Sequence, residues 1–200
     1  MVKSRKTAPA KEQEIIAAAA SLFKKKGYRA TTLEDIAAAV GMLKGSLYYY
    51  IRSKEELLYL VVRNPIRQAY NNLEEIANSD APVTDKITQA IANHIAIFHH
   101  HYPHIAVYLH DFHNLMQKLQ DNSTETPKEY QQLLAQLLQQ GVDSGELRSD
   151  LDVTVAGYAI LGMCNWMYRW YKPEGLMSAE AIANVFTKLV LEGLQQPVSG

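Results

Sequence analysis

Two hundred residues, 48% of them hydrophobic, are enough to bury one or two cores. The single cysteine, Cys164, excludes an intramolecular disulfide and fits a reducing cytoplasm. The net charge of −1 excludes a uniformly basic or acidic chain, and sparse glycine and proline beside plentiful alanine, leucine and glutamine favour an all-helical protein.

The chain begins MVKSRKTAPAKEQ. This is basic but lacks an apolar segment, so no secretory signal is expected. Residues 1–8 read as a basic arm. A first helix is expected from about Pro9 to Lys26, with Ile15, Ala19, Leu22 and Phe23 as its buried stripe. Lys24, Lys25 and Lys26 suit its C-terminal end, and Gly27 ends it.

The stretch TTLEDIAAAVGMLKGSLYYYIRSK, Thr31 to Lys54, follows. Thr31 with Glu34, and Thr32 with Asp35, both have capping-box spacing, so a helix begins here. Leu33, Ile36, Ala37 and Val40 share one face. Gly41 stands where the helix must stop and the chain must turn. A second short helix is expected from about Lys44 to Ile51, with Leu47 and Ile51 inward and Lys44, Ser46, Tyr48 and Tyr49 outward. Ser53 and Glu56 form a further capping box. Two readings fit this pair: a helix-turn-helix whose second helix enters a major groove, or a helical hairpin with half-buried tyrosines.

Charge separates them. Residues 1–54 carry eleven Lys and Arg against four Asp and Glu, net +7. The remainder carries nine against seventeen, net −8. A basic head on an acidic body favours a head that meets a polyanion.

The third helix of the stretch is expected from Ser53 to about Asn78, kinked at Pro65. Its stripe is Leu57, Leu58, Val61, Ile66, Ala69, Leu73 and Ile76. Ser79 to Pro82 reads as a linker. Further helices are expected from Pro82 or Val83 to about His101, with Ile87, Ile91, Ile95 and Phe98 buried, and from Pro103 to about Leu119. Asp121 to Thr126 reads as a polar loop, and Pro127 starts a helix to about Ser144. A long apolar helix from about Asp152 to Tyr171 and a last one from about Ser178 to Gln195 complete nine. The stripe of the last includes Ile182, Val185, Phe186, Leu189, Val190 and Leu194. The most apolar late stretch, Val153 to Met167, is too short and interrupted for a membrane span. No strand signal and no internal repeat accompany these helices.

The motif TTLEDIAAAVGMLKGSLYYYIRSKEELL resembles the N-terminal DNA-binding signature of TetR-family transcriptional regulators. Gly41, Lys44, Gly45, Leu47, Tyr48, Tyr49 and Lys54 stand where that pattern has them. Ile51 replaces the usual phenylalanine. Met42-Leu43 replaces the common Val-Ser, so the serine hydroxyl that usually caps the recognition helix is absent. The resemblance implies a nine-helix fold with a helix-turn-helix head, residues 1–54, and a ligand-binding and dimerisation body, residues 55–200. Asn165, Trp166, Arg169, Trp170, Tyr171, Pro173, Gly175 and Ser178 resemble a subgroup that answers to acyl-CoA thioesters.

The resemblance implies a cytoplasmic repressor, not an enzyme, released from a palindromic operator by a small molecule. That inducer is expected to be an acyl-CoA or, as the alternative, another hydrophobic or aromatic ligand. Thr32, with Thr31 beside it, would meet a phosphate, and Lys44 and Ser46 base edges. Gly45 would allow close backbone approach. Tyr48 and Tyr49 would meet thymine methyls and phosphates, and Tyr50 and Lys54 phosphates. Two recognition helices one DNA turn apart need a homodimer, expected through the last two helices; intramolecular core is the other reading of their apolar faces. Candidate ligand-cavity residues are Phe98, Tyr102, Tyr108, Phe112, Met116, Trp166, Arg169 and Trp170, each open to a plain packing role. Arg169 would pair with a phosphate or carboxylate of the ligand, or else with an acid or carbonyl of its own chain.

All seven histidines fall between His94 and His113. His94, His101, His104, His110 and His113 invite a metal reading. No cysteine joins them and Asp111 is the only acid in that interval, so a cavity rim or helix-end cluster is expected rather than a metal or cofactor site. No nucleophile motif, phosphate loop or paired carboxylates suggest catalysis.

Overall fold

The computed structural model describes residues 8–110 and 125–194. These residues contain nine α-helices and no strand. They are α1 (Ala8–Lys26), α2 (Leu33–Ala39), α3 (Lys44–Leu47), α4 (Lys54–Ala77), α5 (Val83–His100), α6 (residues 104–110), α7 (Glu125–Ser144), α8 (Val153–Asn165) and α9 (Ala179–Leu194). A 3₁₀ turn, Trp166–Arg169, follows α8.

Two compact units emerge. One holds described residues 8–64 and 103–110; the other holds 65–102 and 125–194. The division between the units falls inside α4, between Asn64 and Pro65. The chain changes unit again between Tyr102 and Pro103. Both crossings are X-Pro bonds, where the missing N–H interrupts helical bonding.

In the first unit, Ile15, Ala19 and Phe23 of α1 are buried with Ile36, Ala37 and Val40, with Leu47 and Ile51, and with Leu57 and Leu58. Ile51 is 2% exposed and fills the head's core. Of the two candidate boxes at the start of α2, Thr32–Asp35 forms: Thr32 Oγ1 accepts from Asp35 N–H at 3.1 Å and Asp35 accepts from Thr32 N–H at 2.9 Å. Gly41, at φ 65°, turns the chain out of α2. The Met42 N–H then reaches Ala37 O at 2.9 Å and the Gly41 N–H reaches Ala38 O at 3.1 Å, a Schellman closure. His104 Nε2 donates to Ala20 O at 2.8 Å and ties α6 to α1.

Two expectations for α3 and α4 change. Helix α3 ends at Leu47 rather than Ile51. The N–H groups of Tyr49 and Tyr50 bond three residues back, to Ser46 O and Leu47 O, which tightens the run of tyrosines into turns. In α4 the buried positions after Leu58 are Val62, Pro65, Ala69, Leu73 and Ala77, so Val61, Ile66 and Ile76 of the expected stripe are only half-buried. At its start, Glu56 accepts from the Arg52 N–H rather than closing back on Ser53, while Ser53 Oγ accepts from Glu56 N–H at 3.1 Å.

In the second unit, α5 packs on α9, α7 and α8, and α7 packs on α8. Ile87, Ile91, Ile95 and Phe98 are buried as expected. Lys86, 7% exposed, donates to Ala77 O at 2.9 Å, placing a cation on the C-terminal carbonyl of α4. Helix α7 begins at Glu125, ahead of Pro127. Helix α8 stops at Asn165 instead of running to Tyr171: the aromatic run WMYRWY winds into a 3₁₀ turn, with Trp170 N–H bonded to Met167 O. No described helix is long and apolar enough to cross a membrane.

Candidate nucleic-acid interface and ligand site

The sequence candidates in the head divide into a surface set and a bracing set. Thr32, Lys44 and Gly45 are exposed, Ser46 and Tyr50 are half-buried, and Tyr48 and Tyr49 are 51% and 89% exposed. Lys44 Nζ pairs with Glu34 Oε1 at 2.5 Å across the α2–α3 turn. Their hydrogen bond holds the Glu34 carboxyl below its ordinary range and raises the Lys44 ammonium. Lys26 donates to Asp35 at 2.7 Å; that bond, with those from Thr32, holds the Asp35 carboxyl down at about 2.

Thr31 and Lys54 leave the surface set. Thr31 is fully buried, and its hydroxyl donates to Gly27 O at 2.8 Å, closing the α1–α2 connection. Lys54 Nζ donates to Tyr28 O at 2.9 Å, Thr31 O at 2.8 Å and Arg29 O at 3.4 Å, and lies 4.4 Å from the Tyr28 ring centre. An ammonium has three protons, so a phosphate would have to displace carbonyls. The sequence pattern marks Lys54; only the fold shows that it braces the loop behind α2. Partial burial lowers its pKa.

The described ligand candidates lie at several places in the chain. Phe98, Tyr102 and Trp170 meet around Tyr171, with ring centres 5.8, 6.1 and 6.5 Å from it. Tyr171 is itself buried and His99 Nδ1 shares a short hydrogen bond with its hydroxyl. Phe98 and Tyr171 are buried, Tyr102 is half-buried and Trp170 is exposed at the edge of the cluster. Trp166 is 57% exposed, and Arg169 lies over its ring at 5.7 Å on the surface. Both continue the exposed face of α8 that runs through Val155, Tyr158 and Gly162. Tyr108 belongs to the first unit. Phe112 and Met116 lie outside the described residues, as do Asp111 and His113.

A small cavity lies at another place in the second unit. Ile87, Ala90, Ile91, Leu134, Ile160 and Leu161 line it together with His94, Tyr130 and Cys164. It encloses about 10 Å³, room for about one water. His94 Nδ1 lies 3.2 Å from Tyr130 Oη and Nε2 lies 3.0 Å from Asn165 Oδ1. An amide oxygen only accepts, so Nε2 carries the proton and Nδ1 accepts from the phenol. Burial lowers the His94 pKa against the Asn165 bond that raises it. Burial also pushes the Cys164 thiol up to about 12. One sequence signal pointed here: His94 interrupts the apolar face Ile87, Ala90, Ile91 at helical spacing.

The His99 and His100 rings meet edge to face, 5.4 Å between centres. His100 Nδ1 bonds Ala96 O and His104 bonds Ala20 O. Among the described residues no three His, Cys, Asp or Glu side chains converge as metal ligands.

Helices α8 and α9 bury one side and show another. Gly157, Ile160 and Cys164 of α8 and Ile182 and Ala183 of α9 face the core. Val155, Tyr158, Val185 and Leu189 are 61%, 56%, 47% and 59% exposed.

Known proteins match this arrangement throughout. The family described as bacterial regulatory proteins, tetR family, matches residues 15–60, and the tetracyclin repressor-like C-terminal domain matches residues 80–194. The HTH-type transcriptional repressor KstR2 of Mycolicibacterium smegmatis is 31% identical over 93% of this chain and 91% of its own length. The structure of the TetR-family regulator PfmR from Thermus thermophilus is similar at a TM-score of 0.77 and 32% identity, covering 91% of this chain and 99% of that one. The structure of AibR in complex with isovaleryl coenzyme A and operator DNA is similar at a TM-score of 0.74 and 26% identity, covering 90% and 97%. The chain belongs to the TetR family of bacterial regulatory proteins. It is a helix-turn-helix transcriptional regulator, not an enzyme.

Proposed function

We propose that the protein is a repressor that holds a palindromic operator as a homodimer and releases it when an acyl-CoA thioester binds the body. The observation that carries the ligand reading is the apolar cavity with a polar end, the His94–Tyr130–Asn165 chain. An acyl group needs apolar walls, and Ile87, Ile91, Leu134 and Ile160 supply them; the Tyr130 hydroxyl, which donates to His94 Nδ1, would have to turn from it to donate to a thioester carbonyl. The likeness to AibR, whose structure carries isovaleryl coenzyme A and operator DNA, supports the same ligand class.

The volume explains why such a ligand would act as a switch. At about 10 Å³ the cavity admits no acyl chain. The ligand therefore binds a widened arrangement of α5, α7 and α8, and equal affinity for both arrangements would shift nothing. Helix α4 is a covalent route from that change to the head, and the division between units falls in it at Pro65. The exposed apolar faces of α8 and α9 supply the surface for a second copy, in a four-helix arrangement. Two recognition helices about 34 Å apart then read two half-sites. Such a protein works in the cytoplasm, where its operator lies.

Native mass spectrometry of the tag-free protein tests the ligand. A retained acyl-CoA mass is expected in the wild type and lost in Ile91→Phe, whose added volume is about that of the one water the cavity admits, with operator binding measured alongside as the control for folding. Acyl-CoA binding undiminished in Ile91→Phe would move the ligand elsewhere.

A further inference from the structure

We infer that Leu43 is a base-reading residue that selects a thymine in each operator half-site. Leu43 sits at the N-cap of α3 in extended conformation, φ −76° and ψ 145°, with no side-chain cap hydrogen bond. A polar residue is favoured at that position, and an aliphatic one forgoes the helix stability a capping side chain supplies. The leucine is also 81% exposed, so it returns nothing to the core.

Its neighbours explain what it serves. Among the described residues of the head, the large hydrophobics exposed to solvent are Leu43, Tyr48 and Tyr49. All three lie within seven residues, at or just after α3. Lys44 is exposed beside them. An apolar cluster with a cation, on the short helix that a helix-turn-helix presents to DNA, matches the one apolar feature of the major groove, the C5 methyl of thymine. The leading end of a recognition helix is where base edges come within reach. Leu43 is aliphatic and lacks any polar group, so it distinguishes thymine from cytosine by the methyl and not by a hydrogen bond.

The test uses the full-length protein and sites selected from a random duplex library. Each thymine of the selected site is then replaced by deoxyuridine, which removes only the methyl. Wild type should lose about fourfold in affinity at one symmetric position per half-site, from burial of one methyl. Leu43→Ser restores a hydroxyl cap, so the variant folds; it should be insensitive to the methyl at that position while keeping its response at the others. Wild type indifferent to every deoxyuridine, or Leu43→Ser as sensitive as wild type at each, overturns the inference. Selection of no sequence by the wild type overturns it too and separately defeats the operator reading on which it rests.

Discussion

Lys54 lies 2.8 Å from the carbonyl oxygen of Thr31, reaching back over 23 residues to the start of α2. Thr31 in turn closes on Gly27, so one lysine and one threonine fix the α1–α2 connection behind the α2–α3 pair. Lys54→Ala should therefore lower the stability of the head by about 1–2 kcal/mol, the worth of a charged hydrogen bond and its packing. Operator affinity falls with it, but the slope of log affinity against log salt stays as in wild type. A slope reduced by about 1 per protomer would instead make Lys54 a phosphate contact.

Glu34 restrains Lys44 on the face expected to meet DNA. Glu34→Gln removes a carboxylate from that face and frees the ammonium. Affinity for any duplex should rise at low salt, and the salt slope should steepen by about 1 per protomer. Fluorescence anisotropy on operator and random duplexes across a salt series measures both.

His94 makes stability depend on pH. Burial holds its folded pKa below the ordinary 6.5. The unfolded chain takes up a proton near 6.5 that the folded chain refuses, so this contribution is fully present above 6.5 and is lost as pH falls below it. His104 is shifted the same way, first by burial. Urea midpoints should fall between pH 7.5 and 5.5, and His94→Gln should flatten part of that fall. An unchanged pH profile in His94→Gln would mean that His94 takes up its proton in the folded state as readily as in the unfolded chain.

Val155 and Leu189 are exposed on α8 and α9, so charging them costs the protomer little. Val155→Asp with Leu189→Asp should shift sedimentation from dimer to monomer at micromolar concentration without changing the helical signal. A variant that remains dimeric would place the second copy on another face.

The helices of the head were legible because each signal was local. The Thr32–Asp35 spacing, Gly41 and the apolar positions Ile36, Ala37 and Leu47 all act within a few residues. Lys54 was legible as a marked position but not as a brace, since its partners lie more than 20 residues away. In the body, periodicity through α8 gave no warning that WMYRWY would leave the helix. The polar group of His94, Tyr130 and Asn165 forms across 71 residues of chain, which no spacing within one helix can express.

A thioester bound in the body is expected to release operator from the head. Titrating a preformed complex of full-length protein and operator with acyl-CoA of increasing chain length tests it most directly, with free coenzyme A as the control. Anisotropy of the labelled operator should fall to the free value with at least one acyl-CoA and not with coenzyme A. A complex that holds its operator at saturating concentrations of every acyl-CoA would contradict it.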